Sequence, residues 1–111
     1  MTPSRILCVH ESGTVLHELE RTLTSTGCDV VLAEDGRHAV QILKHEHVDG
    51  IVLSFDMEAP DGRALRNQIR HVHPDMPLLL FSNMEEIRDL PLHVFSAYLQ
   101  HQEVQTLAGM V

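Results

Sequence analysis

The stretch from Val48 to Gly62, VDGIVLSFDMEAPDG, constrains this chain more than any other. Its apolar run, Ile51-Val52-Leu53, gives way at once to small polar and acidic residues and then to Pro60-Asp61-Gly62. An uninterrupted apolar run closed by turn chemistry is the pattern of a strand buried on both faces, as in a parallel sheet covered by helices. The residues just past such a strand stand at the carboxyl edge of the sheet, where open α/β folds place their sites.

The rest of the chain alternates around that strand. Arg5 to Val9 (RILCV) predicts a first buried strand ending at His10-Glu11. Ser12 or Thr14 can cap a helix with Val15, Leu16, Leu19 and Leu23 on its inner face, and Gly27 is suited to end it. Asp29 to Ala33 (DVVLA) reads as a short strand near a sheet edge. Asp35-Gly36 opens a second helix with Ala39, Val40 and Leu43 inward, and His45-Glu46-His47 closes it. The central strand runs to Ser54. Asp61 can then cap a third helix carrying Leu65, Ile69 and Val72, stopped by Pro74. Pro77 to Phe81 (PLLLF) predicts a fourth buried strand ending at Ser82-Asn83. Met84 to Leu90 allows about two helical turns before Pro91 forbids continuation. Val94 to Leu99 predicts a fifth strand and Glu103 to Met110 a short last helix with Val104, Leu107 and Ala108 inward.

Strands alternating with helices call for a doubly wound α/β fold with helices on both faces of a parallel sheet. The flavodoxin-like order 2-1-3-4-5 fits five strands with the first and third in the middle. At 111 residues, with no repeat, low-complexity segment or linker, the expectation is one domain over residues 1–111. Eight basic against sixteen acidic residues, a net charge of −8, argue against a nucleic-acid-binding surface. Neither a signal segment nor an apolar run long enough to span a bilayer is present, so no membrane role is expected. Cys8 lies within an apolar run and Cys28 beside a turn, which suits reduced structural cysteines in a cytoplasmic protein.

In the expected strand order the carboxyl edge presents His10 and Glu11, Ser54 with Asp56 two residues on, Ser82, and His101 just beyond Tyr98. Here the chain resembles the receiver domains of bacterial response regulators (CheY-like). The resemblance runs along essentially the whole length, through RILCVHE, AEDGRHAVQIL, VDGIVLSFDMEAPDG, MPLLLFSN and AYLQHQ in that order. It implies a phosphotransfer switch of two-component signalling. Two acidic residues after the first strand and an aspartate after the third hold Mg²⁺, and that aspartate accepts the phosphoryl group from a histidine kinase. A hydroxyl after the fourth strand, an aromatic on the fifth and a lysine after it respond.

Position by position, this sequence keeps the scaffold and departs from that chemistry. The first acidic position is His10 and the second Glu11. The acceptor position is Ser54, counted either back from Asp61 or forward from Asp49. Ser82 matches the hydroxyl, Tyr98 the aromatic and His101 the lysine, with Gln102 where a proline usually follows. The interval from Ser82 to Tyr98 is about three residues short of the family's, with Pro91 inside it, which predicts a stunted fourth helix. Serine is un-ionised at neutral pH, and Mg²⁺ prefers hard anionic oxygens, so no cofactor is expected. Neutral His101 supplies less countercharge than lysine. The implied object is a pseudo-receiver. One alternative stays open: Asp56 has Pro60 four residues on, and strand alternation puts it on the same side as Ser54, so Asp56 could be the acceptor, with Mg²⁺.

Nine histidines raise a metal reading. His45/His47 and His71/His73 are i, i+2 pairs that do not share a helical face, and read as solvated helix ends. His10, Glu11 and His101 are the better candidates for a transition-ion sensor, because the fold brings them together. Ser54 has no G-x-S-x-G elbow around it, which sets aside a hydrolase triad. In relatives the face of the fourth helix, fifth strand and fifth helix meets partners or a second copy. A shortened fourth helix there would uncover Leu90, Leu92, Val94 and Tyr98, so a homodimer or a protein partner is expected on that face.

Overall fold

A computed structural model describes residues 3–54 and 62–81, together with Leu92, Phe95 and Leu99. In chain order the elements are β1 (Arg5–Val9), α1 (Gly13–Ser25), β2 (Asp29–Ala33), α2 (Gly36–His45), β3 (Gly50–Ser54), α3 (Gly62–Val72) and β4 (Leu78–Phe81). The strands pair in parallel in the order β2-β1-β3-β4, which is the expected order through its first four members.

The sheet divides the core in two by strand alternation. Ile6, Cys8 and Val52 face α1, against Val15, Leu16, Leu19 and Leu23. Leu7, Val9, Ile51 and Leu53 face the other way, against Ala39 of α2 and Leu65 and Ile69 of α3. Ile51, Val52 and Leu53 are all fully buried, so β3 has no solvent-facing side, as its sequence requires. Asp49 holds the start of β3 against β1. Its amide donates to the Arg5 carbonyl at 2.7 Å while its Oδ2 accepts from the Arg5 amide at 2.8 Å.

Helix boundaries follow local chemistry. Ser12 caps α1 by accepting from the Val15 amide, and Asp35 caps α2 by accepting from the His38 amide at 2.8 Å. α1 ends in a Schellman turn: the Gly27 amide donates to the Thr24 carbonyl and the Cys28 amide to the Leu23 carbonyl. Gly27 has φ 91°, where a side chain would be strained. At the end of α3, Arg70 donates to the Pro74 carbonyl at 3.1 Å and to the Met76 carbonyl, bracing the turn into β4.

Four expectations need correction. Phe95 and Leu99 are helical, so a strand over Val94 to Leu99 does not hold there. Leu92, Phe95 and Leu99 are spaced three and four apart, which lines up one helical face, and all three pack with α1. Leu92 is therefore core, 3% exposed, and not a surface residue awaiting a partner. Val72, expected inward, ends α3 exposed, one step past the row of Leu65 and Ile69. β4 begins at Leu78 and is half-buried where described; Pro77 contributes only its carbonyl, which accepts from the Ile51 amide at 3.0 Å. The expected helices over Met84–Leu90 and Glu103–Met110 lie outside the described residues.

Candidate functional site

The ends of all four described strands form the carboxyl edge, and the expected site falls on three of them, β1, β3 and β4. β1 ends at Val9, so His10 and Glu11 lie in the connection to α1. Ser54 is the last residue of β3 and the register partner of Phe81, which ends β4. In the sheet order β1 and β3 are neighbours, with Val9 opposite Leu53. His10 and Ser54, each one residue further on, thus stand side by side at this edge.

His10 is fixed from two directions. Its amide donates to the Ala33 carbonyl at 3.2 Å, continuing the β1–β2 pairing by one step. Its Nδ1 accepts from the Ser12 amide at 2.9 Å. An accepting Nδ1 carries no proton, which places the proton of the neutral ring on Nε2. The imidazole thereby satisfies an amide at the entrance of α1, next to the Ser12 cap. Sequence reasoning found the position but missed this role, for which spacing carries no signal. Glu11 is exposed.

Asp56, Ser82, Tyr98 and His101 lie outside the described residues, as do Leu90 and Val94 of the expected interface. Of the residues expected at this edge, the structure describes His10, Glu11 and the backbone of Ser54. Among the described residues no three His, Cys, Asp or Glu side chains are placed to hold a metal ion.

Four further histidines, His45, His47, His71 and His73, lie toward the opposite edge. His47 and His73 line one cleft of about 370 Å³ with Asp49 and Asp75. His47 Nε2 lies 3.0 Å from Asp49 Oδ1, with the imidazole well exposed. His45 and His71 are exposed at the ends of α2 and α3, as solvated helix ends should be. Neither cysteine forms a disulfide, and both are buried. Burial pushes the Cys8 thiol up, with Glu20 and then Cys28 adding to the effect, so this thiol stays protonated and unreactive near neutrality. No described helix is long and apolar enough to cross a membrane.

Comparison with known proteins agrees with this architecture. The response regulator MprA of Mycolicibacterium vanbaalenii is 32% identical over 87 residues, 78% of this chain and 38% of that protein. The chain thus spans well under half the length of that relative. The Francisella response regulator 1452 receiver domain superposes with a TM-score of 0.74 at 17% identity, covering 93% of this chain and 98% of that one. The Vibrio cholerae chemotaxis protein CheY4 gives 0.69 at 22% identity, covering 78% and 77%. The response regulator receiver domain model matches residues 6–101, and with the parallel β2-β1-β3-β4 sheet wound on both faces this chain belongs to the response regulator receiver domain family.

Proposed function

We propose that this chain is a receiver module of two-component signalling that works through protein contacts, without aspartyl phosphorylation. The observation that carries this reading is that His10 and Ser54 follow the register partners Val9 and Leu53 at the carboxyl edge. The family's chemistry needs a carboxylate nucleophile and hard anionic oxygens around a divalent ion. Here the first acidic place holds an imidazole whose Nδ1 is already committed to the Ser12 amide. The β3 terminus holds a neutral hydroxyl residue, which leaves Glu11 as the one carboxylate at the three positions where the family holds its metal. An imidazole and a neutral hydroxyl at two of those three positions do not suit Mg²⁺, which prefers hard anionic oxygens.

Ser82, Tyr98 and His101 are the switch-equivalent and lysine-equivalent positions in this reading, and they act as structural polar residues. A homodimer or partner contact on the face carrying Leu90, Val94 and Tyr98 belongs to the same proposal, with Leu92 removed from it. Incubation with acetyl phosphate and Mg²⁺, followed by intact mass measurement, should leave the mass unchanged. A labile phosphoryl adduct that disappears in Asp56→Asn would overturn the proposal and make Asp56 the acceptor.

A further inference from the structure

α2 and α3 lie side by side on one face of the sheet, and they differ in charge from the rest of the chain. Together they carry Arg37, Lys44, Arg63, Arg66 and Arg70, five of the eight basic residues, and none of the sixteen acidic ones. Helix electrostatics explains only part of this. Lys44 and Arg70 sit in last turns, where a cation is favoured, but Arg37 and Arg63 are second residues of their helices, where the dipole favours an anion. Arg70 is moreover committed to the carbonyls of Pro74 and Met76.

Between the two helices runs a groove of about 310 Å³ floored by Val40, Leu43, Ile69 and Val72, with Lys44 and His73 at its rim. Val72 is 65% exposed, the one large hydrophobic that is exposed among the described residues. Arg37, Val40 and Lys44 recur at i, i+3 and i+7, so two exposed cations flank an aliphatic residue along one side of α2. An aliphatic floor between two helices, with Lys44 at its rim and Arg37 further along the same side of α2, is complementary to a helix that presents aliphatic side chains on one face and carboxylates beside them.

We propose that the α2–α3 groove docks an acidic amphipathic helix of a partner protein. Nucleic acid is the poorer match, because the described lining is aliphatic, without an aromatic platform for bases, and the chain's net charge is −8. The inference stands apart from the phosphorylation reading, since the groove lies on a helical face and not at the carboxyl edge.

The test uses a labelled helical peptide of about four turns, with leucine at i, i+3, i+4 and i+7 and glutamate elsewhere, titrated with the full chain by fluorescence anisotropy. Its counterpart carries lysine for every glutamate. The expected result is saturable binding of the glutamate peptide only. Binding weakens about tenfold in Val72→Asp and in Lys44→Glu and falls as salt rises, as rim charges require. Both positions are exposed, so thermal melts of the variants should match the parent. Equal binding of the lysine peptide, no binding, or indifference to both substitutions overturns the proposal. So does self-association in light scattering that Val72→Asp abolishes, which would make a second copy the occupant. Tighter binding of a DNA duplex than of the peptide overturns it as well.

Discussion

The two faces of the sheet are covered differently. On the α1 side the helix buries Val15, Leu19 and Leu23 completely, and Leu92, Phe95 and Leu99 complete the layer. Gly50 lies beneath them, where an added Cβ would come within 2.9 Å of both Leu99 Cδ1 and Phe95 Cζ. On the other side Ala39, Leu65 and Ile69 are buried, but Val40 and Leu43 are only partly covered and Val72 faces solvent. One face is a closed core; the other keeps an apolar seam between two basic helices. The closed face carries stability, and the open face carries the proposed helix-docking groove.

Substitutions that respect or violate this division should separate by size. Leu19→Ala removes a fully buried side chain from the closed face and should cost about 2 to 5 kcal/mol, read from urea midpoints. Gly50→Ala forces a methyl against Phe95 and Leu99. Overpacking of that kind costs about 1 to 3 kcal/mol, and the relief from replacing a strand glycine returns at most about 1 kcal/mol. A Gly50→Ala protein as stable as the parent would mean that the closed face is looser than the contacts require.

The Cys8 thiol tests the same face through pH. Its folded pKa is raised, so its contribution to stability is fully present below the ordinary thiol range and is lost as pH climbs past about 8.5. Denaturation midpoints should therefore fall on the alkaline side, and Cys8→Ala should remove that part of the slope. The smallest effect belongs to the open face. Val72→Ala should change stability by no more than about 0.5 kcal/mol, since the side chain is exposed. A larger loss would show that the seam is part of the core and leave no surface for a partner.

Much of the fold is legible in single residues. Ser12 and Asp35 were readable as caps because a short side-chain oxygen before an apolar repeat has few other uses. Gly27 was readable as a terminator because the left-handed conformation excludes most alternatives. The site was legible as positions: His10 and Ser54 fall where the ends of neighbouring parallel strands must come together. The turn of His10 back onto the Ser12 amide was not legible, because it depends on one torsion and one nearby donor rather than on spacing.

The segment that misled was VFSAYL, rich in strand-forming residues, of which Phe95 and Leu99 are helical and pack on α1's side of the sheet. Propensity for strand is weak and yields to context. The row Leu92, Phe95, Leu99 carries the helical period, and all three of its members are buried.

What the sequence determined alone was the alternation of strands and helices from β1 to β4, the caps of α1 and α2, and the side of the sheet on which each of those strand residues falls. Those features rest on periods of two and 3.6 residues and on local hydrogen bonds, which the chain carries in any context. Only the tertiary structure decided which apolar residues find cover. Leu92 went into the core and Val72 stayed out of it. Burial of a side chain depends on neighbours distant in sequence, and no local pattern records whether they arrive.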